Sequence, residues 1–187
     1  MKLIFVIAIL TSTALAQDVP PPPKPPSSGP SLEVTMSFIQ ERLASIGRVN
    51  FVAYGHDDGN GTDWTDNASA EATSVQASAA SCRVDYHWHA TDNGASVMDK
   101  DARVSLKAVQ EVLVETLEHR FADVERRDGR PERTYRVAPP VFVLLVKSEK
   151  RAEDVFYLYD ETLANRIAKA LVHAVELCGG GSKPEPF

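Results

Sequence analysis

Positive charge is in short supply in this chain. Its 20 Lys and Arg stand against 26 Asp and Glu, for a formal net charge of −6. A surface of that sign does not attract a phosphate backbone, so nucleic acid is not an expected partner. The arginine-rich segment 125–133 does not reverse this, because Glu125, Asp128 and Glu132 dilute its field. Cysteine is scarcer still, with Cys82 and Cys178 alone and no Cys-x-x-Cys pair. There is no glycine-rich phosphate loop and no Gly-x-Ser-x-Gly, so the sequence marks of a nucleotide site and of a serine hydrolase are missing. Beyond the first sixteen residues no apolar run approaches the roughly 20 residues that span a bilayer.

What is present begins with Met1-Lys2, an apolar run over 3–10 and the ending Ala14-Leu15-Ala16. This pattern predicts a secretory signal peptide over residues 1–16. Residues 17–30 hold most of the prolines and predict a stiff extended spacer. Residues 31–180 suit a single domain, and 181–187 a flexible tail. Export places both cysteines in an oxidising compartment, where Cys82–Cys178 is the one internal disulfide available. It would close a loop of about 95 residues, worth roughly 4–5 kcal/mol by chain entropy.

Within the domain, Leu32, Met36, Ile39, Leu43 and Ile46 recur at helical spacing, between Ser31 and Gly47. Residues 48–55 and 71–77 suggest strands. Residues 82–90 alternate most cleanly, with Cys82, Val84, Tyr86, Trp88 and Ala90 on one face and Arg83, Asp85, His87 and His89 on the other. Asp92-Asn93-Gly94 is a turn, followed by strands in 95–106 and 111–116 with a corner at 105–109. Residues 118–138 read as irregular except for a short strand near 134–137. Two apolar runs, 141–147 and 155–159, form a hairpin. It leads straight into an amphipathic helix capped by Asp160 and ended by Gly179, Gly180 and Gly181.

This order makes an α+β domain: an N-terminal helix, about seven antiparallel strands and a C-terminal capping helix. Over residues 49–178 it resembles the pleckstrin-homology-like barrel, in which strands form two near-orthogonal sheets closed by a final helix. The ending over residues 156–180 also resembles exported bacterial proteins of unassigned function. An α+β domain with an open antiparallel sheet and both helices on one face is the alternative. The barrel resemblance implies either phosphoinositide binding or protein recognition. Phosphoinositide membrane binding is not expected, because the loop between the first two strands carries His56, Asp57, Asp58, Asp63 and Asp66 where lipid-binding relatives use Lys and Arg. A protein or peptide partner at the cell envelope is the remaining expectation, with a secreted or periplasmic, non-catalytic role and no cofactor.

Two constellations offer metal chemistry as an alternative function. Asp57, Asp58, Asn60, Asp63 and Asp66 supply hard oxygen ligands of the kind calcium takes, though not at EF-hand spacing. His87 and His89 point the same way from one strand, which a transition metal could use with a third ligand. Less weight falls on Asp57, Asp58, Asp99 and Asp101 as a carboxylate hydrolase pair. Trp64, in the middle of the acidic segment, either folds back on the domain or meets a partner.

Overall fold

The computed structural model describes residues 29–57, 61–128, 133–149 and 153–181. The expected signal peptide, most of the spacer and the tail beyond Gly181 lie outside them. The elements are α1 (Leu32–Ala44), β1 (Val49–Asp57), β2 (Thr62–Ser78), β3 (Arg83–Asp92), β4 (Ala95–Ser105), a single 3-10 turn (Leu106–Ala108), β5 (Val109–Thr116), α2 (Leu117–Arg127), β6 (Arg133–Ala138), β7 (Phe142–Ser148), β8 (Glu153–Leu158) and α3 (Glu161–Leu177).

The strands form a five-stranded sheet in the order β4-β3-β2-β1-β6 and a three-stranded sheet in the order β5-β7-β8, with every pairing antiparallel. The α+β class holds. The barrel does not: the two sheets share no ladder and remain open at their edges. Among the described residues there are eight strands rather than about seven, and a helix, α2, occupies much of the stretch that reads as irregular.

The termini of the outer helices follow their sequence signals. Ser31 caps α1 and Asp160 caps α3, the Asp160 carboxylate accepting from the Leu163 N–H at 3.0 Å. Gly47 and Gly179 end them at positive φ. Thr116 caps α2 in the same way, accepting from the His119 N–H. Asn93 and Gly94 both take positive φ in the β3–β4 turn, which matches the twist of the strands they join.

The core has two parts. In the first, Met36, Ile39 and Leu43 of α1 and Ile167, Leu171 and Ala174 of α3 pack with Val84, Tyr86 and Trp88 of β3 and with Leu144, Val146, Phe156 and Leu158. In the second, Val143 and Leu145 turn the other way and meet Val49, Phe51, Val137 and Leu117. The sheets are also stitched at Tyr159, whose hydroxyl accepts from the Asn50 N–H at 2.6 Å and donates to the Asn50 carbonyl at 2.8 Å.

Cys82 and Cys178 form a disulfide across Cα atoms 5.9 Å apart, 96 residues apart in sequence. Around it, the Leu106 N–H donates to the Cys82 carbonyl and the Gly181 N–H to the Val109 carbonyl. A Cβ on Gly180 would lie 2.2 Å from the Leu106 carbonyl oxygen, so only glycine lets α3 end there. Replacing both cysteines with serine should lower the unfolding free energy by about 4–5 kcal/mol, read from the denaturant midpoint. An unchanged midpoint would contradict the role of the tether.

Candidate functional site

The described parts of the acidic segment belong to strands. Residues 62–78 form one long strand, and β1 and β2 pair from Val49↔Ala70 out to Asp57↔Thr62. Alternation then separates the carboxylates. Asp57 and Asp66 share the inner face with Phe51, Ala53 and Ala68, while Asp63 sits on the outer face opposite His56. His56 Nδ1 lies 2.7 Å from Asp63 Oδ1, Asp66 accepts from the Asn93 amide at 2.9 Å, and Asp57 meets Arg133 at 3.2 Å. Asp58 and Asn60 lie outside the described residues. The described members of the proposed calcium set are thus split between two faces.

His87 and His89 do share the outer face of β3, as the alternation implies. Their neighbours there are Asp99 and Asp101 of β4: His87 lies 2.9 Å from Asp99 and 3.0 Å from Asp101, and His89 lies 3.5 Å from Asp99. The same face continues in the row Arg83–Asp85–Arg103. Among the described residues, the donor set whose ligand atoms all come within 4.8 Å of one another lies elsewhere, at Glu115, His119 and Asp123. There His119 pairs with Glu115 at 2.7 Å, and Arg126 holds Asp123 at 2.6 Å.

A concavity with a mixed aromatic and charged lining lies under α2. Its floor is the inner face of the five-stranded sheet: Phe51 and Ala53 of β1, Trp64, Asp66 and Ala68 of β2, Ala90 and Asp92 of β3, with Arg133 and Tyr135 of β6. Its roof is Phe121, Val124 and Glu125 of α2, with Tyr157 at the back and Val97 at the mouth. The volume is about 480 Å³, within the range of small-molecule sites. It exists because Ala53, Ala68 and Ala90 are too small to fill the gap that Tyr86, Trp88 and Phe156 fill in the first core.

Four attachments hold the roof. Leu117 is fully buried in the second core. Glu118 accepts from the Val137 N–H at 3.0 Å. Arg120 and Arg127 both reach Glu153 at the start of β8. Burial alone would raise the Glu153 carboxyl, but the two arginines hold it below the usual carboxylate range. Finally, Arg133 bridges Glu125 at 3.1 Å and Asp57 at 3.2 Å. The Tyr135 hydroxyl, beside this bridge, is pushed up to about 12 by burial and then by the Glu125 carboxylate.

The polar groups of the cleft are not all matched by the protein. Trp64 Nε1, Asp92 Oδ1, Glu125 Oε2 and Arg133 Nε are each shut off from solvent without a hydrogen-bond partner. They are four of the six such side-chain atoms among the described residues, and all four belong to residues lining this one cleft. An unmatched buried group costs about 1–3 kcal/mol. Glu125 is only 6% exposed.

Trp64 is positioned by an absence. It pairs across the ladder with Gly55, and a Cβ there would lie 2.0 Å from the indole ring. The ring therefore lies flat over Gly55, with its edge toward Tyr135 at a centroid distance of 5.6 Å. Sequence reasoning singled out Trp64 and Asp66 but not Asp92, Glu125, Arg133 or Tyr135. No protein-family model, curated protein or solved structure matches the chain.

Two measurements check this geometry. Gly55→Ala should displace Trp64 and shift its fluorescence emission with little change elsewhere, whereas unchanged emission would contradict the close approach. His87 is raised above its ordinary 6.5, first by the Asp101 hydrogen bond and then by Asp99, with burial opposing. The contribution of its carboxylate contacts is therefore full below 6.5 and lost as pH rises through the folded value. An NMR titration should show the raised midpoint, and Asp101→Asn should lower it.

Proposed function

We propose that this chain is an exported, non-catalytic recognition domain that takes an amphipathic group of its partner into the cleft beneath α2. The observation that carries this is the cleft beneath α2, whose lining brings aromatic and aliphatic walls together with a few charged side chains. That combination suits binding: apolar surface supplies affinity, and a few placed polar groups fix orientation.

The chemistry of the lining supports binding over turnover. Among the described lining residues there is no histidine, lysine or cysteine, and both cysteines are consumed in the disulfide. The Ser69 and Thr91 hydroxyls bond to each other at 2.7 Å, so neither has an activating base there. The disulfide is consistent with export into an oxidising compartment. No helix among the described residues is long and apolar enough to cross a membrane.

The test is an amide and indole chemical-shift survey of the labelled protein against a panel of small aromatic and aliphatic fragments. Saturable shifts should cluster at the Trp64 indole N–H and at Phe121, Glu125 and Tyr135. Shifts that cluster on another face, or none that saturate, would overturn the proposal.

A further inference from the structure

We infer that the group the cleft receives is an organic cation: an ammonium or guanidinium carried on an aromatic or branched aliphatic body. This rests on the reading of the cleft as a binding site and adds the sign of its ligand.

Charge is the first argument. Three carboxylates line the cleft, Asp66, Asp92 and Glu125, against one guanidinium, Arg133. That guanidinium is already divided between Glu125 and Asp57. Among the described residues neither Asp66 nor Asp92 has a cationic partner within 4.0 Å; the Asp66 contact is the neutral Asn93 amide. The cleft is thus negative with its own cation spent, and an anionic ligand would meet repulsion on entry.

The walls make the second argument. Trp64, Tyr135 and Phe121 form a connected aromatic group, with centroids 5.6 Å and 5.2 Å apart along the series. Aromatic faces attract cations through the ring quadrupole, most strongly where water is excluded. Carboxylates and aromatic rings around one small cavity therefore favour the same ligand sign. The carboxylates of Asp66 and Asp92, which line the cleft without a cationic partner among the described residues, give the cation its counter-charge.

The cation could be a free amine or an Arg or Lys side chain of a protein partner, and titration of the full-length chain separates the two. The probes are 2-phenylethylamine, its neutral counterpart 2-phenylethanol, the anion phenylacetate, and a blocked tripeptide with a central arginine. Trp64 fluorescence and calorimetry give the readout. The amine or the peptide should bind at least about tenfold more tightly than the alcohol, with the acid weaker still. Asp92→Asn should remove that preference, checked against unchanged melting. A tighter peptide indicates a protein partner, and a tighter amine a free small molecule. If the alcohol or the acid matches the tighter of the amine and the peptide at the Trp64 site, the cation inference fails and the binding cleft stands. If no probe perturbs Trp64 while uncharged fragments still shift the cleft residues, the cation inference fails alone. If neither probes nor fragments bind there, both fail. The wild-type comparison decides between charges even if a variant does not fold.

Discussion

Val143, Leu144, Leu145 and Val146 are each no more than 1% exposed, and the rest of the structure depends on covering both faces of that one strand. Full burial of each such side chain is worth about 1.5–3 kcal/mol, so neither face of β7 can be left wet. Leu144 and Val146 recruit α3, α1 and the aromatic side chains of β3. Val143 and Leu145 recruit β1, β6 and the first turn of α2. The two open sheets and three helices are the layers that result, and a closed barrel is not needed to provide them.

The two coverings differ in thickness, and the cleft comes from that difference. On the α3 side, large rings fill the space: Tyr86, Trp88 and Phe156 pack in edge-on and tilted contacts with centroids 4.8–6.4 Å apart. On the α2 side the sheet offers alanines and Gly55, and the roof is an 11-residue helix. That roof is held at its ends and rim by charge, through Glu118, the pair Arg120 and Arg127 on Glu153, and the Glu125–Arg133–Asp57 bridge. Apolar contact seats only Leu117 fully. A helix held in this way leaves a cavity between its middle turns and the sheet.

The first half of that architecture was legible in the sequence, and the second was not. The β3 alternation, the 141–159 hairpin, the Asp160 cap and the cysteine pair all carry strong local signals, and they lie where those signals put them. Strand β2 hides because its inner positions alternate in size rather than hydrophobicity: Trp64, Asp66, Ala68, Ala70. Its parity then switches at Ser74, which has positive φ, so that Val75 becomes the buried residue. Helix α2 had its own signal in Leu117, Phe121 and Val124 behind the Thr116 cap. That signal is masked by charged neighbours and by a strand that runs into the helix with no loop between them. The cleft residues come from six strands and one helix far apart in sequence, so no spacing rule could gather Asp92, Glu125 and Arg133. Closing the fold into a barrel failed for a related reason: element order does not say which strand edges pair.

The most direct test of the central claim is an experimental electron-density map of the cleft that shows ordered solvent and any retained molecule. The account predicts an open cavity between α2 and the sheet, with ordered density in contact with Trp64, Asp92, Glu125 or Tyr135. A collapsed cleft, with Phe121 and Val124 packed onto Ala53 and Ala68 and no ordered density between them, would contradict it.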